Sequence, residues 1–295
     1  DALWDACRDV LLHWIRHGVK IFRVDNPHTK PFAFWEWVIA DIQRDHPDVV
    51  FLAEAFTRPK RMKHLAKIGF SQSYTYFTWR TKATELREYL EELTQGKSSE
   101  YFRANFFANT PDILHEYLVH GGRPAFRIRL LLAATLMPSY GIYSGYELCE
   151  NVPLRHGSEE YLDSEKYEIK PRNWNAPGNI QWDVGIINRI RRENRALQLH
   201  TNLRFCGSEN PNILAYSKST PDGSNQVVVV VNLDPHRVQE GSVTVPVNQL
   251  GFAEDEPFVV DDLLTGVPYG WRGSRNYVRL DPAYHVGHVL RVRRS

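Results

Sequence analysis

The spacing of apolar residues changes once along this chain, near Leu203, and that change leaves few architectures open. Before it, helix-like and strand-like runs alternate. An opening helix with Leu3, Trp4, Cys7, Leu11, Leu12, Trp14 and Ile15 on one side stops at Gly18, and a strand over 19–25 follows. A helix from Pro31 through Ile42 leads to a strand over 49–54, and a helix from Pro59 to about Ile68 leads to one over 73–77. A helix over 84–93, a strand over 102–108, helical stretches at 113–119 and 124–136, a short strand at 140–143 and an arginine-rich helix over 181–199 complete the series. Such alternation predicts a parallel sheet with right-handed crossovers. The count is about five βα units, against eight units and roughly 250 residues in a complete β/α barrel. Beyond Leu203 the period falls to two, in short runs at 213–216, 227–231, 243–245, 258–260, 277–280 and 289–292 divided by Gly, Pro and Asp turns. This pattern predicts an antiparallel sandwich. The expected fold is therefore α/β: residues 1–202 as the C-terminal part of a (β/α)8 TIM barrel, about strands 4 to 8, and residues 203–295 as an all-β sandwich domain. Three N-terminal barrel units are expected to be missing from this chain.

Three acidic residues close or follow strand-like runs. Asp25 ends Phe22-Arg23-Val24-Asp25, Glu54 ends Val50-Phe51-Leu52-Ala53-Glu54, and Asp112 follows Phe107-Ala108-Asn109-Thr110-Pro111. In a β/α barrel the strand C-termini open onto one face, so carboxylates remote in sequence can meet there. Two carboxylates flanking a glycosidic bond serve as nucleophile and acid/base, and a third can steady an oxocarbenium-like transition state. Each has a plainer reading. A lone Asp at a strand end is usually a turn former, Glu54 can pair with Arg58, and Asp112 can cap a helix starting near Ile113. The set of three, rather than any one, carries the argument.

Composition narrows the ligand. With 36 basic and 35 acidic side chains interspersed, the net charge of +1 favours neither nucleic acid nor an anionic membrane as partner. Cys7, Cys149 and Cys206 are too few and too scattered for a disulfide framework, and read as ordinary buried thiols in a cytoplasmic protein. The 12 His lack ligand spacing, so neither metal nor cofactor is expected. Glu147 reads as a loop-fixing residue, and Arg189, Arg191, Arg192 and Arg195 as a solvated helix face.

The three acidic motifs, in this order and spacing, resemble the nucleophile, acid/base and stabiliser motifs of the α-amylase superfamily. The stretches Asp25-Asn26-Pro27-His28-Thr29-Lys30-Pro31, Leu52 to Pro59, Gly69 to Phe77 and Ser164-Glu165-Lys166-Tyr167-Glu168 are similar to the α-1,4-glucan:maltose-1-phosphate maltosyltransferase family within it. Two departures from the common amylase pattern fit that family: Thr110-Pro111 in place of a His before Asp112, and Asn26-Pro27-His28 in place of a Lys-His pair after the nucleophile. The superfamily's first motif has no counterpart upstream of Asp25. The resemblance implies a retaining transferase that moves maltosyl units from α-maltose 1-phosphate to α-1,4-glucan. Asp25, Glu54 and Asp112 would be catalytic, Arg23, Asn26, Lys166 and Tyr167 would bind substrate, and the full-length protein would be a homodimer. An α-glucan hydrolase or trehalose-forming isomerase of the same superfamily, or an inactive glycan-binding remnant, are the competing readings.

Overall fold

The computed structural model describes residues 2–165 and 169–294. In chain order the elements are α1 (Ala2–Arg16), β1 (Ile21–Asp25), α2 (Phe32–Asp45), β2 (Val50–Glu54), α3 (Pro59–Lys67), β3 (Gln72–Tyr74), α4 (Ala83–Thr94), β4 (Ala104–Phe107), α5 (Glu116–Leu136), β5 (Tyr140–Gly141) and α6 (Gln181–Glu193). Nine further strands follow: β6 (Leu203–Phe205), β7 (Gly207–Ser208), β8 (Ile213–Ser219), β9 (Gln226–Asn232), β10 (Gln239–Thr244), β11 (Pro257–Asp262), β12 (Pro268–Arg272), β13 (Arg275–Leu280) and β14 (Gly287–Arg294). The chain divides into two compact units, one of residues 1–76 with 95–105, the other of 77–94 with 106–295. The boundary expected after residue 202 falls inside the second unit.

In the first unit β1, β2, β3 and the start of β4 lie side by side in that order, all parallel. Pairing of β1 with β2 runs in register from Ile21 opposite Val50 to Asp25 opposite Glu54. Side chains alternate across a strand, so Phe22, Val24, Phe51 and Ala53 share one face and Arg23, Asp25, Leu52 and Glu54 the other. The apolar face packs on α2 and α3, where Phe51 and Ala53 join Trp35, Val38, Ile39, Ile42 and Leu65 in one core. Gly69, at φ +118, closes the turn after α3. A Cβ there would lie 2.8 Å from Ile39 Cγ2, so only glycine lets α3 end this close to α2.

In the second unit the end of β4 pairs in parallel with β5. Helix α5 starts later than its sequence suggests. Residues 110–113 form a tight turn bridged between Thr110 and Ile113, and His115 caps the helix by accepting a hydrogen bond from Tyr117 N at 3.1 Å. Gly122, at φ 55 and ψ −156, breaks α5 two residues before Pro124, which accounts for the two separate helical patterns in the sequence. The antiparallel strands form a six-stranded sheet, β12-β11-β14-β9-β8-β6, and a three-stranded one, β13-β10-β7. Residues of both sheets, among them Val228, Val230, Val243, Phe258, Val278 and Leu290, share a single core. The run Val227 to Val231 is wholly buried because β9 is covered on both faces; its neighbour β8 reaches α5 through Tyr216, whose hydroxyl lies 2.6 Å from that of Thr135. Among the described residues no helix is long and apolar enough to cross a membrane.

Candidate active site

In the first unit the strand ends bring three of the expected residues together. Asp25 and Glu54 are register partners at the last positions of β1 and β2, and Arg23 lies two residues back on the same face as Asp25. Glu54 is buried at 4 % exposure whereas Asp25 is open to solvent. The sequence suggests that Arg23 serves Asp25. The guanidinium instead contacts the Glu54 carboxylate, and it also hydrogen-bonds the Tyr74 hydroxyl at the end of β3. Burial raises the Tyr74 phenol above its ordinary range and the Arg23 charge pulls it the other way. Among the described residues Asp25 has no ion-pair partner, so its carboxylate is exposed beside a neighbour whose charge is already matched. The physical reason is reach: a guanidinium on β1 can extend across to β2 and β3, where a buried acid and a phenol await it, in preference to a solvated acid on its own strand.

Asn26 begins the loop after β1 in the left-handed region, with φ 45 and ψ 50. Its backbone N–H donates to Glu54 O at 3.0 Å and its carbonyl accepts from both the N–H (3.0 Å) and the hydroxyl (2.7 Å) of Thr29. Trp35 Nε1 donates to Pro27 O at 3.0 Å, and the loop is thereby tied to α2. Asn tolerates the left-handed conformation better than other non-glycine residues, which gives Asn26 a backbone role that its sequence context alone does not disclose.

Asp112 belongs to the second unit. It sits exposed in the 110–113 turn, its N–H donating to Thr110 Oγ1 at 3.2 Å, and it caps no helix. Two residues of this unit were not singled out from sequence. Asn109 is fully buried, donates to the Tyr161 hydroxyl at 2.6 Å and accepts from Tyr143 N at 2.8 Å, so it fastens the chain after β4 to two later loops. Arg172 donates to Glu150 at 2.9 Å, lies 2.8 Å from Glu165 and donates to Ser144 O at 3.2 Å. The Arg172 hydrogen bond holds Glu165 below the usual carboxylate range. A buried amide directly after an apolar strand was a legible signal for Asn109; Arg172 had none, since its partners lie up to 28 residues away. Lys166 and Tyr167 lie outside the described residues.

Several plainer readings change. Arg191 is not on a solvated face: it donates to the carbonyls of Ala134, Met137 (3.0 Å) and Pro138 (2.6 Å) at the end of α5. Cys7 is exposed and Cys149 half-buried, so only Cys206 is a buried thiol. Glu147 accepts from Gly145 N at 3.2 Å within its own loop.

Comparison with known proteins places these residues in context. The family model described as "GLGE, C-terminal" matches residues 205–292. The chain is 60 % identical over 298 aligned positions to α-1,4-glucan:maltose-1-phosphate maltosyltransferase 2 of Streptomyces coelicolor, covering 100 % of this chain and 44 % of that protein. It is 53 % identical to the Rhodospirillum rubrum maltosyltransferase, covering 98 % of this chain and 42 % of the relative. The chain thus spans less than half the length of the curated relatives it matches. Among solved structures, an α-amylase from Geobacillus thermoleovorans aligns over 100 % of this chain and 64 % of its own with a TM-score of 0.76 at 13 % identity. An Anoxybacillus α-amylase aligns over 98 % of this chain and 63 % of its own with a TM-score of 0.73 at 13 % identity. At such identity these two matches speak for an α-amylase-like fold alone.

Proposed function

We propose, from a chain related along its whole length to the α-1,4-glucan:maltose-1-phosphate maltosyltransferases, that it supplies the catalytic carboxylates of a retaining transferase. That enzyme moves maltosyl units from α-maltose 1-phosphate to the nonreducing end of α-1,4-glucans and releases phosphate. Residues 1–202 then form the second half of a (β/α)8 barrel and residues 203–295 an antiparallel sandwich, in a cytoplasmic homodimer.

The observation that carries this reading is the register of Asp25 beside Glu54, with Arg23 committed to Glu54. Asp25 is the nucleophile: its exposed carboxylate attacks the anomeric carbon as the bond to phosphate breaks, and phosphate leaves with the electron pair. The product is a β-maltosyl ester. Phosphate needs no proton to depart, so the task left for Glu54 is to take the proton from the glucan 4-hydroxyl as it attacks the ester, restoring the α configuration. A base must be ionised to act, and contact with a guanidinium favours the ionised carboxylate. Asp112, by its place in the third motif, holds ring hydroxyls whose hydrogen bonds strengthen as positive charge develops. Asn26, Lys166 and Tyr167 contact the donor, and Arg23 takes part by fixing Glu54.

The two half-reactions separate by mutation. In the full-length protein Glu54→Ala, given α-maltose 1-phosphate, releases one equivalent of phosphate and retains a maltosyl ester on the peptide containing Asp25, visible by mass spectrometry. Asp25→Ala forms none. A Glu54→Ala protein that is inactive and never labelled contradicts this division of roles.

A further inference from the structure

A second carbohydrate site is formed within the larger unit, away from Asp112. A cavity of about 180 Å³ opens where α5 and α6 meet the turns before β12 and β14. Trp182, 65 % exposed, and Tyr284, 70 % exposed, both line it. Neither ring is covered by any described residue, although large aromatic side chains carry the greatest penalty for exposure and are normally the first to be buried. Between them lies a polar floor. Arg127 Nε donates to Asp183 Oδ1 at 2.7 Å and its Nη1 donates to Tyr284 O at 3.1 Å, which fixes the backbone under the second ring. Arg123 adds a hydrogen bond to the other oxygen of Asp183 at 3.4 Å, and the imidazole of His285 completes the wall.

We infer that this cavity binds one or two glucosyl units of an α-glucan chain, with Trp182 and Tyr284 stacking on the apolar faces of the sugar rings and the Arg127–Asp183 pair meeting their hydroxyls. Size and charge select this occupant. Ligand pockets for drug-sized molecules run from about 300 to 1,000 Å³, so this one takes a ring rather than a folded partner. Asp183 and its arginines largely cancel, so the site suits a neutral ligand rich in donors and acceptors better than an anion or an acidic peptide. Exposed aromatic rings with polar groups between them match a pyranose, which has one apolar face and a rim of hydroxyls. The choice of α-glucan over other glycans rests on the proposed function. Holding a polymer here raises its local concentration at the enzyme without any new contact at the catalytic carboxylates.

The test uses β-cyclodextrin and maltoheptaose as probes of the full-length protein, by titration calorimetry and by the fluorescence of Trp182. Trp182→Ala and Tyr284→Ala should each weaken β-cyclodextrin binding at least tenfold, and Trp182→Tyr should restore most of it. Because both rings are exposed, neither change should alter the unfolding midpoint. Turnover with maltotetraose as acceptor should be unchanged, while KM for glycogen rises at constant kcat. Binding that stays within twofold in the double Ala variant overturns the inference and leaves the proposed function intact. Equal binding of cellohexaose overturns the assignment to α-glucan. Trp182-dependent binding in a protein that never turns over α-maltose 1-phosphate would sink the proposed function and sustain this site.

Discussion

The Arg23 guanidinium lies against a carboxylate that water barely reaches, and removing it has two separable effects. Arg23→Ala strands Glu54 as a buried acid without its cation, at a cost of about 1–3 kcal/mol, toward the low end because Arg23 is itself partly solvated. Asp25→Ala removes a solvated carboxylate with no partner among the described residues and should change stability by less than about 0.5 kcal/mol. Chemical denaturation of the two variants checks the contrast; equal losses would mean that Asp25 is held by contacts of its own. Asn26 allows a similar separation. Its left-handed backbone makes Asn26→Ala cost about 1–2 kcal/mol, while Asn26→Gly keeps the loop at little cost. If Asn26→Gly is stable but loses affinity for α-maltose 1-phosphate, the side chain binds donor; a stable and fully active Asn26→Gly assigns it to the backbone alone.

At the scale of elements, the C-terminal end of α5 is held by two cations. Arg191 donates to its last carbonyls, and Lys218 on β8, fully buried, donates to Leu136 O at 3.3 Å and Leu199 O at 2.9 Å. Burial, with Arg191 nearby, lowers the Lys218 ammonium to about 7. The sign follows directly: between pH about 7 and about 10.4 the unfolded chain binds a proton at Lys218 that the folded chain does not, so folding grows more favourable as pH rises through that window. The slope is at most about 1.4 kcal/mol per pH unit. Lys218→Met should therefore gain least over the parent at pH 9 and most at pH 7, in paired denaturant titrations; a pH-independent difference refutes the lowered value. Elements of this kind were only half legible in the sequence. Apolar periodicity located β1, β2, α2, α3 and the buried β9, because each answers to its own residues. It missed β6, β7 and β12, whose short polar or aromatic runs are strands only through their neighbours, and it took Arg191 for a surface charge because the carbonyls it caps lie more than 50 residues away. Asp25 and Glu54 were legible because strand ends are local; the partner of Arg23 was not, since it depends on the register between two strands.

For the molecule as a whole, apolar exposure is concentrated in the first unit. Phe22, Val24 and Phe51, which a count of missing barrel strands would leave in water, pack instead on the helix side, where they adjoin or join one core with α2 and α3. The exposed apolar surface lies elsewhere: Leu3 at 69 %, Val10 at 59 %, Trp14 at 51 % on α1, and Ile21 at 62 % on β1, which has a neighbour on one side only. Leu3, Val10, Trp4 and Phe34 also line a groove of about 420 Å³. Each such side chain forgoes about 1.5–3 kcal/mol by remaining in water, so four of them rival the whole net stability of a domain, about 5–15 kcal/mol. An open strand edge beside an apolar patch is a template for association. Residues 1–295 expressed alone should therefore self-associate at micromolar concentration, and the pair Val10→Glu with Ile21→Lys should shift the chain toward monomer in light scattering. The matched pair Val152→Glu with Val267→Lys, on exposed positions of the second unit, should change nothing. A parent chain that is monomeric at high concentration, or association that yields equally to both pairs, would show that the α1 and β1 surface does not drive it.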